Sequence, residues 1–200
     1  QDKVRLLIDP TSSYAQAAAM AMGRAMDDVI IAAATGTAYT GETGATSESV
    51  QTAIAASVGT GTGLNLVKLT TAKRLLDDAD VDPSIPRHII VGPEQLQNLL
   101  AVEQVTSSDY NTVKALVQGE IDSYLGFKFT VSNRLAKSGN DRTCIVYAED
   151  GITLGIGKDI SARIDERADK SYATQVYYCQ SIGATRMESA KVVPITCTEA

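Results

Sequence analysis

The stretch from Asp9-Pro10 through Ala34 constrains the fold more than any other part of the chain. Asp can accept the free amide hydrogens of a first helical turn, and Pro at the first helical position forfeits no hydrogen bond. A long helix is therefore expected over Thr11 to Ala34. Tyr14, Ala18, Ala21, Ala25, Val29 and Ala32 recur every three or four residues, whereas Arg24, Asp27 and Asp28 group elsewhere. Gly36 supplies the stop. A face built mostly of Ala, with Met20, Met22 and Met26 nearby, lets a partner approach closely while flexible thioethers fill the gaps. The expectation is a long strut lying against a sheet.

The same stretch is the richest candidate for a membrane span or a leader. Arg24, Asp27 and Asp28 interrupt it, and it lacks a basic leader and cleavage pattern. No membrane span is expected. With 200 residues, 44% of them hydrophobic, the chain can bury one sizeable core, or two lobes sharing a central sheet. A net charge of -6 disfavours DNA binding as the main function, because gripping phosphates requires clustered Lys and Arg. Cys144, Cys179 and Cys197 form an odd set without CxxC spacing, and Cys144 and Cys179 lie inside apolar runs where a thiol acts as a small hydrophobe. A reducing cytosol is the simpler reading. The chain opens at Gln1 rather than Met, which reads as a processed product or a piece of something longer.

Residues 35–63 are rich in Thr, Gly and Ser, and alternation appears only through Val50, Thr52, Ile54, Ala56 and Val58, so the reading is loop, one strand, loop. Leu66, Leu69, Ala72, Leu76 and Ala79 mark a second amphipathic helix, with Asn65 at the capping position and an acidic end before Pro83. Arg87 to Val91 reads as a short buried strand. Gly92-Pro93 breaks it and starts a third helix with Leu96, Leu99 and Leu100 on its apolar face. Thr106 to Asn111 reads as a polar loop and Val113 to Val117 as a short helical piece. Beyond Gly126 the chain looks predominantly β. Phe127, Phe129 and Val131 alternate, and Thr143 to Ala148, Ile152 to Ile156 and Ile160 to Ile164 read as separate strands. Tyr172 to Met187 is a long β run with Tyr172, Thr174, Val176, Tyr178 and Ile182 on one face, and Lys191 to Thr196 is its expected partner. No 20-to-50-residue repeat is present.

Signals for chemistry are weak. His88 is the single histidine, flanked by Arg87 and Ile89-Ile90-Val91, and reads as a strand-edge residue rather than a catalyst. Gly59-Thr-Gly-Thr-Gly63 lacks the Lys-Ser/Thr of a phosphate-cradling loop, and Lys68 comes too late, so a flexible loop is expected. Asp77, Asp78, Asp80 and Asp82 lack the mid-loop Gly and terminal Glu of a calcium loop, and read as a solvated helix end. Arg163, Arg167 and Lys170 alternate with Asp165, Glu166 and Asp169, a pattern of surface or intersubunit ion pairing. No catalytic, cofactor-binding or metal-binding residue is named, no cofactor is expected, and the chain is expected not to be an enzyme.

The order of these pieces resembles the tailed-bacteriophage major capsid proteins of the Hong Kong ninety-seven-type fold, specifically phage and prophage coat proteins. Asp9 to Thr37 is similar to the family's spine helix running into a Gly-containing loop. Leu66 to Leu100 resembles its helix, strand and Pro-started helix unit, Tyr124 to Ser132 its Gly-aromatic entry into a sheet, and Asp159 to Val193 its closing strands. The resemblance covers nearly the whole chain and rests on order and spacing rather than on one chemical fingerprint. It implies an α+β fold with a long spine helix, a peripheral domain and an axial domain. Residues 1–58 would hold the spine helix and start of the peripheral domain, 59–157 mostly the axial domain, and 158–200 the closing long strands of the peripheral domain.

The function so implied is a structural subunit of an icosahedral capsid, located in the virion and assembled in the bacterial host cytoplasm. Its partners would be copies of itself in pentamers and hexamers, then scaffolding, portal and decoration proteins. The enclosed DNA would be held without specific binding, and no membrane would take part. The family's N-terminal arm and extended β-hairpin loop should precede the spine helix, but only Gln1 to Ile8 do so, and crosslinking through that loop is not carried over. Two alternatives stay open: an encapsulin-like bacterial nanocompartment shell, and a nucleotide-dependent enzyme using Gly59 to Gly63.

Overall fold

The computed structural model describes residues 10–59, 61–101 and 123–199. The expected loop at Thr106 to Asn111, the short helix at Val113 to Val117 and the capping role of Asp9 lie outside the described residues. In chain order the elements are α1 (Pro10–Thr35), β1 (Ala38–Thr40), β2 (Thr46–Glu48), α2 (Leu66–Asp78), β3 (Arg87–Val91) and α3 (Pro93–Leu100). They continue with β4 (Ser123–Tyr124), β5 (Phe127–Val131), β6 (Lys137–Ser138), β7 (Asp141–Ala148), β8 (Ile152–Arg167), β9 (Ala173–Arg186) and β10 (Val192–Thr198). Two compact units result. The first holds the described residues through Ile30 together with Leu154–Ala184, and the second holds Ile31–Thr153 with Thr185–Ala200.

The second unit is built on a sheet of order β10-β7-β3-β5-β4, with β6 paired to β7. β3 runs parallel to β5 and antiparallel to β7, so it is bonded on both sides. Its sequence RHIIV explains the central position, because β-branched residues fit a pleated surface that is covered on both faces. Ile89 and Val91 are fully buried with Phe127 of β5, Cys144 and Val146 of β7, and Val193 and Ile195 of β10. Leu69, Ala72 and Leu76 of α2 and Leu99 of α3 complete this core. Each large apolar side chain so buried is worth about 1.5–3 kcal/mol relative to exposure.

Local signals set the helix ends. Asn65 Oδ1 accepts from the Lys68 amide at 2.9 Å, capping α2, while Asn65 Nδ2 donates to Val58 O at 2.9 Å. At the other end Asp80 takes a left-handed conformation with φ 53°. The Val81 amide then reaches back to Leu76 O at 3.2 Å, which satisfies a carbonyl left over by the last turn. Pro93 starts α3 directly after Gly92. Within the second unit Arg186 closes the C-terminal end of α1: Nη1 donates to Ala34 O at 3.1 Å and Gly36 O at 2.7 Å. Its Nη2 donates to Glu48 O at 2.8 Å, tying in the β1–β2 hairpin.

The first unit contains the larger parts of α1 and of the two-stranded β8–β9 ribbon. Tyr178 Oη donates to Ala15 O at 3.2 Å and Gln180 Nε2 to Met22 O at 3.4 Å, so β9 lies along the helix. Ala15, Ala18, Met22, Ala25, Met26 and Val29 are half-buried, while Ala21 and Ala32 are exposed. The covered stripe is therefore rotated from the one expected through Ala21 and Ala32. In an Ala-rich helix several stripes have the right period, and the bulk of Met22 and Met26 selects among them.

Other expectations are corrected. Val50 to Val58 is not a strand: only Ile54 bridges to Ile195, with its amide on Pro194 O and its carbonyl taking the Thr196 amide, both at 2.9 Å. Ile152 to Ile156 and Ile160 to Ile164 form one 16-residue strand. Gly157 does not break it but leaves room for Ser181, whose Oγ would be 3.4 Å from a Cβ there. The partner of β9 is β8, and β10 pairs with β7 instead. Tyr172 is in the turn before β9 with φ 57°, and not on the strand's face. Val131 ends β5 half-exposed, out of the core that holds Phe127.

Candidate functional site

Buried charge is concentrated where β10 meets β7. Glu199 is 6% exposed and takes hydrogen bonds from three side chains. Arg142 Nε and Lys137 Nζ each bind one of its oxygens at short range, and Gln95 Nε2 adds a third bond at 3.2 Å. Arg142 also donates to Asn133 O at 3.2 Å, and the Glu199 amide to Asn140 O at 2.7 Å. The Arg142 and Lys137 cations hold the Glu199 carboxyl down at about 2. This group fastens the end of β10 to α3, β6 and β7, and both carboxylate oxygens are spent on it.

Lys68 is the second buried charge. Fully buried, its Nζ donates to Thr62 O at 2.9 Å, Gly63 O at 2.7 Å and Thr196 O at 3.1 Å. Although it follows the Gly59 to Gly63 loop too distantly for a phosphate-binding motif, it turns back to that loop and spends its donors on carbonyls. An ammonium used in this way positions a loop and β10; it does not grip a nucleotide. Burial lowers the Lys68 pKa. Cys197, 4.0 Å from Nζ, has its thiol lowered, first by a hydrogen bond from Cys144 and then by the Lys68 charge. Cys144 is pushed the other way by the same bond and by burial.

The remaining sequence signals separate. His88 is not at a strand edge: it sits in central β3 and stacks on Tyr147 with ring centroids 5.4 Å apart. Asp77 pairs with the guanidinium of Arg87 at 2.7 Å, Asp78 with Arg74 at 2.9 Å, and Asp82 Oδ1 takes the Ser84 amide at 2.8 Å. That is a helix end in which Asp77, Asp78 and Asp82 are already engaged. Arg167 pairs with Asp169, two residues on. On the ribbon Ile156, Ile160, Ile164 and Tyr177 are 40–54% exposed amid these charges.

A family model described as phage capsid protein matches residues 1–199. The chain belongs to the phage capsid protein family. A phage capsid protein is a structural subunit of a shell, and the alternative of a bacterial nanocompartment shell is not favoured by this match. Solved structures share the fold. A chain of Mycobacterium phage Che8 aligns with a TM-score of 0.67 at 20% identity, covering 97% of this chain and 65% of that one. The capsid structure of cyanophage P-SCSP1u gives 0.70 at 16% identity, with coverage of 100% and 69%. The capsid asymmetric unit of cyanophage Pam1 gives 0.68 at 14% identity, with coverage of 100% and 72%. The chain thus spans just under two thirds of the Che8 chain's length. No curated protein sequence matches it.

For this member of the capsid family, the residues that sequence reasoning missed are Glu199, Arg142, Lys137 and Gln95. One signal was available. Val193, Ile195, Cys197 and Glu199 share a parity, so a carboxylate ends a face that is otherwise buried and must be met by cations. Nothing local to Lys137 or Gln95 marks them as those partners.

Proposed function

We propose that this chain is a structural subunit of an icosahedral phage or prophage capsid, self-assembling into pentamers and hexamers that enclose the genome. The observation that carries the reading is the capsid family match along residues 1–199. In this reading α1 is the spine helix, and the peripheral domain is made from residues 1–58 and 158–200. Residues 59–157 mostly form the axial domain. The subunit is non-enzymatic and needs no cofactor. It resides in the virion after assembly in the host cytoplasm, where scaffolding, portal and decoration proteins are its further partners.

Support also comes from the way charge is used. Lys68, Arg142 and Glu199 are turned inward to fasten loops and strand ends, while the ribbon carries exposed isoleucines and alternating charges. A shell needs many modest contacts repeated by symmetry, which such surfaces supply. The test is light scattering after size-exclusion chromatography, followed by electron microscopy, on the chain and on the complete reading frame that encodes it, co-expressed with its scaffold. Pentamers, hexamers or shells are expected from the complete frame. Monomers alone under every assembly condition would overturn the reading.

A further inference from the structure

On the β8–β9 ribbon a thiol is surrounded by polar side chains rather than by apolar ones. Ser161 Oγ lies 2.9 Å from Cys179 Sγ, and the Lys158 ammonium and the Tyr177 hydroxyl act on the same thiol. Beside this group a cavity of about 490 Å³ is lined by Lys158, Ser161, Arg163, Asp165, Gln175 and Tyr177. Among the described residues neither Lys158 nor Arg163 has a carboxylate within ion-pair distance. The cavity therefore presents two cations, Lys158 and Arg163, and one carboxylate, Asp165, next to a half-buried cysteine. Cys144 and Cys197, by contrast, are fully buried.

The neighbours favour thiolate over thiol. Hydrogen bonds from Lys158 and Ser161 bring the Cys179 pKa to about 7. Expected from its apolar run to be a small hydrophobe, Cys179 instead lies among polar groups with a cavity at its side that carries two cations and one carboxylate.

We propose that Cys179 is a site of S-thiolation by small anionic disulfides such as oxidised glutathione, whose carboxylate-bearing arm is received by Lys158 and Arg163. The Cys179 thiolate attacks one sulfur of the disulfide. A Cys179–glutathione disulfide forms, the original S–S bond breaks, and glutathione thiolate leaves and takes a proton from water. The disulfide is the only oxidant required, and the reaction is followed on the unassembled chain.

The experiment incubates the full chain with oxidised glutathione at neutral pH and, in parallel, with neutral iodoacetamide. Rates are read by intact mass and sites by peptide mapping. Glutathione is expected on Cys179 well before Cys144 or Cys197. Arg163→Gln should slow the glutathione reaction severalfold and leave the iodoacetamide rate unchanged, because only the first reagent is anionic. Lys158→Met should slow both at pH 7 by roughly fivefold, since the lost thiolate fraction is partly offset by a more basic, more nucleophilic sulfur. Equal glutathione rates for Arg163→Gln and the unaltered chain would overturn the cavity's role. A pH midpoint for Cys179 alkylation near the ordinary thiol value of about 8.5, or equal labelling of all three cysteines, would overturn the site.

Discussion

The central sheet and the β8–β9 ribbon handle charged side chains in opposite ways. Around the sheet, Lys68 of α2, Arg142 of β7 and Glu199 after β10 are buried, and their donors and acceptors are matched to one another or to backbone carbonyls. On the ribbon, Arg167 and Asp169 pair in solvent, and Ile156 and Ile164 stay more than half exposed on a strand with a single partner. A buried charge network resists change because removing one member strands another in low dielectric, whereas an exposed pair is screened and contributes little. The sheet is thus built to be finished within one subunit. The ribbon is built with surface left to offer.

The largest expected effect comes from breaking the sheet's network. Arg142→Met leaves the Glu199 carboxylate buried with only Lys137 and Gln95, and should cost about 3–5 kcal/mol in urea unfolding. The matching change on the ribbon, Arg163→Met, should stay within about 0.5 kcal/mol. Comparable losses for the two would erase the contrast.

Lys68→Met comes next. It removes the donor from three partly buried carbonyls while keeping an apolar side chain of similar length in place, and should cost about 1–3 kcal/mol. Hydrogen exchange should quicken at Thr198, whose amide depends on the same loop through Thr62 O at 3.0 Å. Protection unchanged at Thr198 would mean that the loop is positioned without the lysine.

Acid provides a third separation. The folded Glu199 carboxyl titrates at about 2, below its ordinary 4.5, so between these values the unfolded chain binds a proton that the folded chain does not. Stability rises with pH across that interval. The contribution is fully present above about 4.5 and lost as pH falls toward 2. Glu199→Gln should flatten the acid limb of the stability curve, and an unchanged limb would assign acid sensitivity to other carboxylates.

How much of this was legible in the sequence follows the range of the forces involved. α1, α2, β3 and α3 could be read closely because Pro10, Asn65, Gly92 and Pro93 act within one turn of themselves. The partners of β9 and β10 could not, since both strands have the same alternation and pairing is decided by contacts far away in the chain. Gly157 looked like a break because a glycine's local freedom is visible in sequence, while its clearance for Ser181 across the ribbon is not. The buried network was hidden for the same reason: Arg142 and Glu199 are neighbours only once β7 and β10 align. The setting of Cys179 was not legible because Val176, Tyr177 and Tyr178 precede it in sequence, whereas Ser161 meets it from the other strand.

The smallest effect on stability is expected where the effect on assembly should be clear. Ile160 and Ile164 are 40% and 54% exposed, so replacing both by Thr, which stays β-branched on the strand, gives up only half-covered methyl groups and should change the unfolding free energy by about 1 kcal/mol. If the ribbon's uncovered side is a contact between copies, the same double variant should lower the assembled fraction seen by light scattering, because each symmetric copy of the contact loses apolar area that only a neighbour could cover. A fold of unchanged stability with weakened assembly places those isoleucines in the interface. Unchanged stability with unchanged assembly makes them surface residues of the subunit, and the ribbon's charged positions from Arg163 to Lys170 then become the next to exchange.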